Sequence, residues 1–123
     1  MKTFTVDEAN ACLPLLTELL AEMQKIREQL VAEAPKMQVV LEQAGHNGGS
    51  QKAGEYLLLL ERLQAAQAKL NGLGCELKDL ETGLVDFPSY RGPDLVYLCW
   101  RQGEPRVEFW HDLTSGFAGR KPL

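Results

Sequence analysis

Apolar residues along this chain follow two different periods, and the change falls near Gly74. Leu13, Leu16, Leu20, Met23 and Leu30 recur at helical spacing, and Leu19 and Ile26 widen the stripe. Gln24, Lys25, Glu28 and Gln29 fill the opposite face. A start signal precedes the stripe: Thr5 and Glu8 have the spacing of a capping box, and Asp7 and Glu8 suit the positive end of a helix dipole. Pro14 removes one hydrogen bond to Asn10 and predicts a kink. At Pro35 the helix either kinks and continues through Met37, Val40, Leu41 and Ala44, or a new helix begins. Gly45 is the expected end, followed by an HNGGS loop. A second helix is expected from about Gln51 to Asn71, with Tyr56, Leu59, Leu60, Leu63, Ala66 and Leu70 as its stripe and Gly72 and Gly74 as its stop.

These lengths are unequal. The first helix would span roughly 58 Å and the second roughly 31 Å at 1.5 Å per residue. The N-terminal half of the first therefore needs another apolar surface. Leu57, Leu58, Leu59 and Leu60 point around most of the second helix. That predicts either a helix sandwiched between the first helix and a sheet, or a homodimer seam along the helices.

Beyond Gly74 the period is two. Cys75–Asp79 and Leu84–Phe87 read as short strands, with Glu81-Thr82-Gly83 as a turn and Pro88 as a stop. Leu95–Arg101 and Arg106–Asp112 read as the clearest strands, joined by Gln102–Pro105. Connections this short require antiparallel pairing. The fold class is thus α+β: a long, kinked antiparallel helical hairpin (1–73) packed on a small C-terminal antiparallel sheet (74–123), within one domain. For an even loop count, Val96, Leu98, Trp100, Val107, Phe109 and His111 share the core face with Val85 and Phe87. Tyr97, Cys99, Arg101, Arg106, Glu108, Trp110, Asp112 and Asp86 then share the outer face.

Composition narrows the classes. The chain has 123 residues and a net charge of -4, which leaves no basic footprint for nucleic acid. No apolar run approaches a membrane span, and the N-terminus lacks the character of a signal peptide. Cys12, Cys75 and Cys99 are odd in number and widely spaced, which points to a reducing cytoplasm without disulfides or a thiolate zinc site.

Candidate chemistry gathers in the last third, where seven of the nine aromatics fall between Phe87 and Phe117. His111 has the type of a general base or metal ligand, yet His46 is distant in sequence and no multi-histidine spacing exists. His111 is expected instead to cap the apolar face against a carboxylate. On the parity above, Cys99 and His111 face opposite ways, so Cys99 is expected to be a packing residue. Asp79, Asp86 and Glu108 could pair as carboxylates. The segment 114–120 could present backbone amides to an anion, or fold back over the sheet with Phe117 as anchor.

The segments FTVDEANACLPLL, LKDLETGLVDFPS, LCWRQGE and FWHDLTSGFAGRKPL resemble a family of small bacterial proteins catalogued as a domain of unknown function. The resemblance implies a bacterial, cytosolic, single-domain protein and carries over no site residue. The expected function is a non-enzymatic protein-interaction module acting as a homo-oligomer, most simply a homodimer. The alternative is a ligand-binding protein or enzyme with its site on the C-terminal sheet, around Asp86, Arg101, Glu108, Trp110, His111 and Arg120. Neither a metal nor another cofactor is expected.

Overall fold

The computed structural model of the chain describes residues 1–47 and 51–123. Two helices, α1 (Val6–Asn47) and α2 (Gln51–Gly72), precede a five-stranded sheet. Its strands are β1 (Glu76–Asp79), β2 (Leu84–Arg91), β3 (Asp94–Arg101), β4 (Phe109–His111) and β5 (Lys121–Pro122). They lie in chain order and every neighbouring pair is antiparallel, so the sheet is a plain meander.

The capping box forms as the spacing predicts. The Thr5 amide donates to Glu8 Oε1 at 3.0 Å, and the Glu8 amide donates to Thr5 Oγ1 at 3.1 Å. From there α1 continues through both Pro14 and Pro35. The choice left open at Pro35 is therefore settled as one continuous helix. It also passes Gly45, the expected stop. His46 and Asn47 of the expected HNGGS loop are still helical, and 48–50 lie outside the described residues.

At 42 and 22 residues the helices are about 63 and 33 Å long. They run antiparallel, with Lys52 near the start of α2 lying 3.8 Å from Glu33. Contrary to expectation, the N-terminal part of α1 is not left unmatched: α2 runs beside it, from the Lys52–Glu33 contact to Gly74 against Lys2, and the sheet covers it as well. Leu13, Leu16, Leu19, Leu20 and Met23 join Val85, Phe87, Leu98, Trp100 and Val107 in one buried cluster. The C-terminal half of α2 reaches this cluster, through Leu63, Ala66 and Leu70. The sandwich expected for α2 does not form. Leu57 and Leu58 are 55% and 56% exposed, and among the strands α2 makes its main contact with β1.

Two features of the sheet depart from expectation. First, Pro88 does not end its strand: β2 runs on to Arg91 and turns tightly at Gly92-Pro93 into β3. The reason is the direction of the Pro88 backbone. Its carbonyl accepts from the Phe4 amide at 2.7 Å, on the side away from β3. A strand residue aims its N–H and C=O the same way, so the donor missing from proline is one that the β2–β3 ladder never uses. Ser89 Oγ donates to the Phe4 carbonyl, so the N-terminal segment is stitched along the edge of β2. Gly92 has φ +61°, the left-handed turn conformation that favours glycine.

Second, the face assignment of β4 is reversed. Leu98 lies opposite Trp110, Cys99 opposite Phe109 and Tyr97 opposite His111. Directly opposed residues share a face. Trp110 therefore belongs to the helix side, where it packs on the core cluster, while Phe109 and His111 belong to the outer side. The cause is the connection, which occupies 102–108 rather than 102–105. An odd count slips the register by one residue and turns every side chain over. Val107 is buried as expected, but as part of this loop; its amide donates to Asn10 Oδ1 on α1 at 2.7 Å.

Candidate functional site

The corrected register brings together three chemically active side chains. Asp86 on β2 lies directly opposite Cys99 on β3, and both face outward. His111 comes from β4, diagonal to Cys99, with its ring beside Tyr97 at 5.5 Å between centroids. Its Nε2 reaches across β3 to Asp86 Oδ1 at 3.0 Å. One ligand-type atom from each of the three lies within 4.8 Å of the others. All three are nearly sealed from solvent, with exposures of 3% for Asp86, 0% for Cys99 and 2% for His111.

The hydrogen bonds of His111 constrain its tautomer. Nδ1 lies 2.6 Å from the carbonyl oxygen of Asp112, which can only accept, so Nδ1 must carry a proton. Nε2 then presents a lone pair to a carboxylate unless one further proton lies between them. The Cys99 thiol also donates to Asp86. Desolvation first, then the Asp86 charge, pushes the Cys99 thiol up to about 12, so by itself it is not a thiolate nucleophile. Burying three polar groups is costly unless each is matched, and here they match one another.

Around this centre the outer face is polar and aromatic. Glu76 on β1 lies opposite Asp86 and is engaged by Lys78 at 3.3 Å and by the Tyr97 hydroxyl. Extending the β4–β5 register places Arg120 opposite His111. The Arg120 guanidinium stacks over Phe109 at 3.9 Å and Phe117 at 4.7 Å, and pairs with Glu104 at 2.6 Å. Its side chain is only 10% exposed, and its Nε is buried with no hydrogen-bond acceptor among the described residues.

The six candidates from the sequence thus divide. Asp86 and His111 are in direct contact, and Arg120 borders them. Arg101 is exposed at the end of β3, with its amide donating to Glu104 Oε1 and its guanidinium 5.9 Å from the Phe117 ring. Glu108 pairs with Arg106 at 3.1 Å, in the loop before β4. Trp110 is on the opposite face of the sheet, flanked by Arg91 and Lys121. The suggested pairing of Asp79 with Asp86 is absent: Asp79 lies opposite Leu84 and accepts from Thr82 in the turn. The tail does fold back over the sheet, but Phe117 stays 43% exposed and the buried contact is made by Arg120. Asp112 is occupied by the amides of Thr114 and Ser115, which hold its carboxyl down at about 2.

A family model covers residues 2–123 of the chain, essentially all of it. The chain belongs to the family described as "Uncharacterized conserved protein (DUF2203)". No curated protein and no solved structure matches it. Among the described residues no helix is long and apolar enough to cross a membrane.

Cys99 is the site residue that sequence reasoning set aside. The signal lay in the connection between β3 and β4: counting Arg106-Val107-Glu108 as loop restores the Cys99–His111 proximity.

Proposed function

We propose that the protein is a small non-enzymatic binding protein whose binding centre is the Asp86–Cys99–His111 cluster. The observation that carries this is the burial of three clustered polar side chains, with His111 and Cys99 both bonded to Asp86, on a sheet face that apolar residues of similar size would fill at lower cost. Exposures of 3% or less leave no access for an organic substrate, and the raised thiol argues against nucleophilic chemistry. A sealed centre of this size suits an ion. The three free cysteines are in keeping with a reducing cytoplasm. Intact mass under native and denaturing conditions tests the reading. The chain purified from cells without chelator is expected to carry an excess mass that is lost in Asp86→Asn. No excess mass on the wild-type chain, or the same excess on both proteins, would end it.

A second reading concerns the helices. Val31 and Val39 on α1 and Leu57 and Leu58 on α2 are 64%, 52%, 55% and 56% exposed. They lie toward the end of the hairpin that holds the Lys52–Glu33 contact. We propose that this arm associates with a second copy of the chain, giving a homodimer. Sedimentation should show a dimer that Leu57→Ser/Leu58→Ser converts to monomer. A wild-type chain that stays monomeric at high concentration removes this reading.

A further inference from the structure

We propose that the buried centre is a site for a divalent transition-metal ion of the zinc class, bound by the Asp86 carboxylate, the Cys99 sulfur and His111 Nε2. This rests on the binding-centre reading above and names its occupant.

Geometry supports it first. Zinc bonds of about 2.0 Å to nitrogen and oxygen and 2.3 Å to sulfur set tetrahedral ligand–ligand edges of about 3.3–3.6 Å. The three donor atoms already lie within 4.8 Å of one another and 3.0 Å apart across the Asp86–His111 contact. Small side-chain adjustments therefore close the shell. Each donor comes from a different, adjacent strand of the meander, so the backbone holds the set in place.

The orientation of His111 is the second support. Its Nδ1–H is tied to the Asp112 carbonyl, which turns Nε2 toward Asp86 and Cys99. Metal-binding histidines are held in this way, with the remote nitrogen on a carbonyl or carboxylate. Donor chemistry then selects the ion. A set of one sulfur, one imidazole and one carboxylate suits zinc and its neighbours, whereas calcium and magnesium need a shell of oxygens.

Charge balance is preserved in the exchange. Without an ion, the cluster carries the thiol proton, the Nδ1 proton and one proton between Nε2 and Asp86, and is neutral overall. An ion of charge +2 replaces the thiol proton and the shared proton, leaving thiolate, carboxylate and neutral imidazole, again neutral. Two protons leave per ion, and no electron moves. The fourth position falls to water or another small oxygen ligand. Arg120, beside His111, has a buried Nε with an unmet donor on this same face.

The test is titration of chelator-treated protein with Co2+, followed by displacement with Zn2+. The expected result is one ion per chain, with a sulfur-to-cobalt charge-transfer band that Zn2+ abolishes. Cys99→Ser should remove the band, Cys12→Ser should keep it, and Asp86→Asn or His111→Gln should weaken binding on the order of 100-fold or more, beyond the effect of an outer-shell change. A folded wild-type chain giving no band and no rise in Tm with Zn2+ overturns the proposal, as does a band that survives Cys99→Ser. Should the native mass instead include a non-metal adduct lost in Asp86→Asn, the binding centre stands and the metal assignment falls. With neither adduct nor band, both fall.

Discussion

The two faces of the sheet are built on opposite terms. The helix-side face, with Val85, Phe87, Leu98 and Trp100, is dry and apolar, and its partners on α1 and α2 need only the right volume. The outer face buries Asp86, Cys99 and His111 nearly as completely, but under a thin cover that includes Tyr97, Phe109 and Arg120. Burial on the first face is favourable by itself, about 1.5–3 kcal/mol for a large side chain. On the second it is tolerable only while each polar group has its partner. A difference of this kind separates a surface selected for folding from one selected for something else.

The largest effect should come from the dry face. Phe87→Ala opens a cavity between the sheet and Phe4, whose ring lies edge-on at 5.2 Å, and should cost about 3–5 kcal/mol in urea unfolding. In the metal-free chain, His111→Leu strands the Asp86 carboxylate and should cost about 3 kcal/mol, while Asp86→Leu/His111→Leu should recover much of that loss. If the double variant is as unstable as the single, the polar centre is structural and the contrast between the faces disappears. Asn10→Ala removes the acceptor for the Val107 amide and should cost about 1–2 kcal/mol. Thr5→Ala, which breaks the capping box at the start of α1, should cost about 1 kcal/mol.

A final, smaller effect is set by pH. Burial raises the Cys75 thiol to about 11 and the Cys99 thiol to about 12 from an ordinary 9.0. A folded-state value above the unfolded one means that the protonated form is favoured by folding. Their contribution is therefore complete below pH 9 and declines between pH 9 and about 12. Unfolding followed by urea across that window should show a falling midpoint, less steep in Cys99→Ser. Alkylation at pH 8 should reach half-exposed Cys12 first and Cys99 only on unfolding.

Much of the fold was legible because helices average their signal. The stripe from Leu13 to Leu30 remains a stripe if one position is misread, and the Thr5–Glu8 box marks the start independently. The strands were less forgiving. Pro88 looked like a stop because its role depends on Phe4, a residue 84 positions away in the chain whose amide meets the Pro88 carbonyl. The site was half legible: Asp86 and His111 were singled out by residue type, while Cys99 was lost to a parity error that local sequence could not correct. The loop that sets that parity is tied to α1 from Val107 to Asn10, a contact between elements that no pattern within 102–108 reveals.

That tie has an evolutionary consequence. Loss of a single codon between Gln102 and Glu108 would exchange Trp110 for His111 on the two sides of the sheet, leaving the residues of β4 unaltered. Such a deletion would be read by the ribosome as a minor edit and by the folded molecule as the erasure of its polar centre. Lineages are therefore expected to vary the residue identities of this loop far more freely than its length.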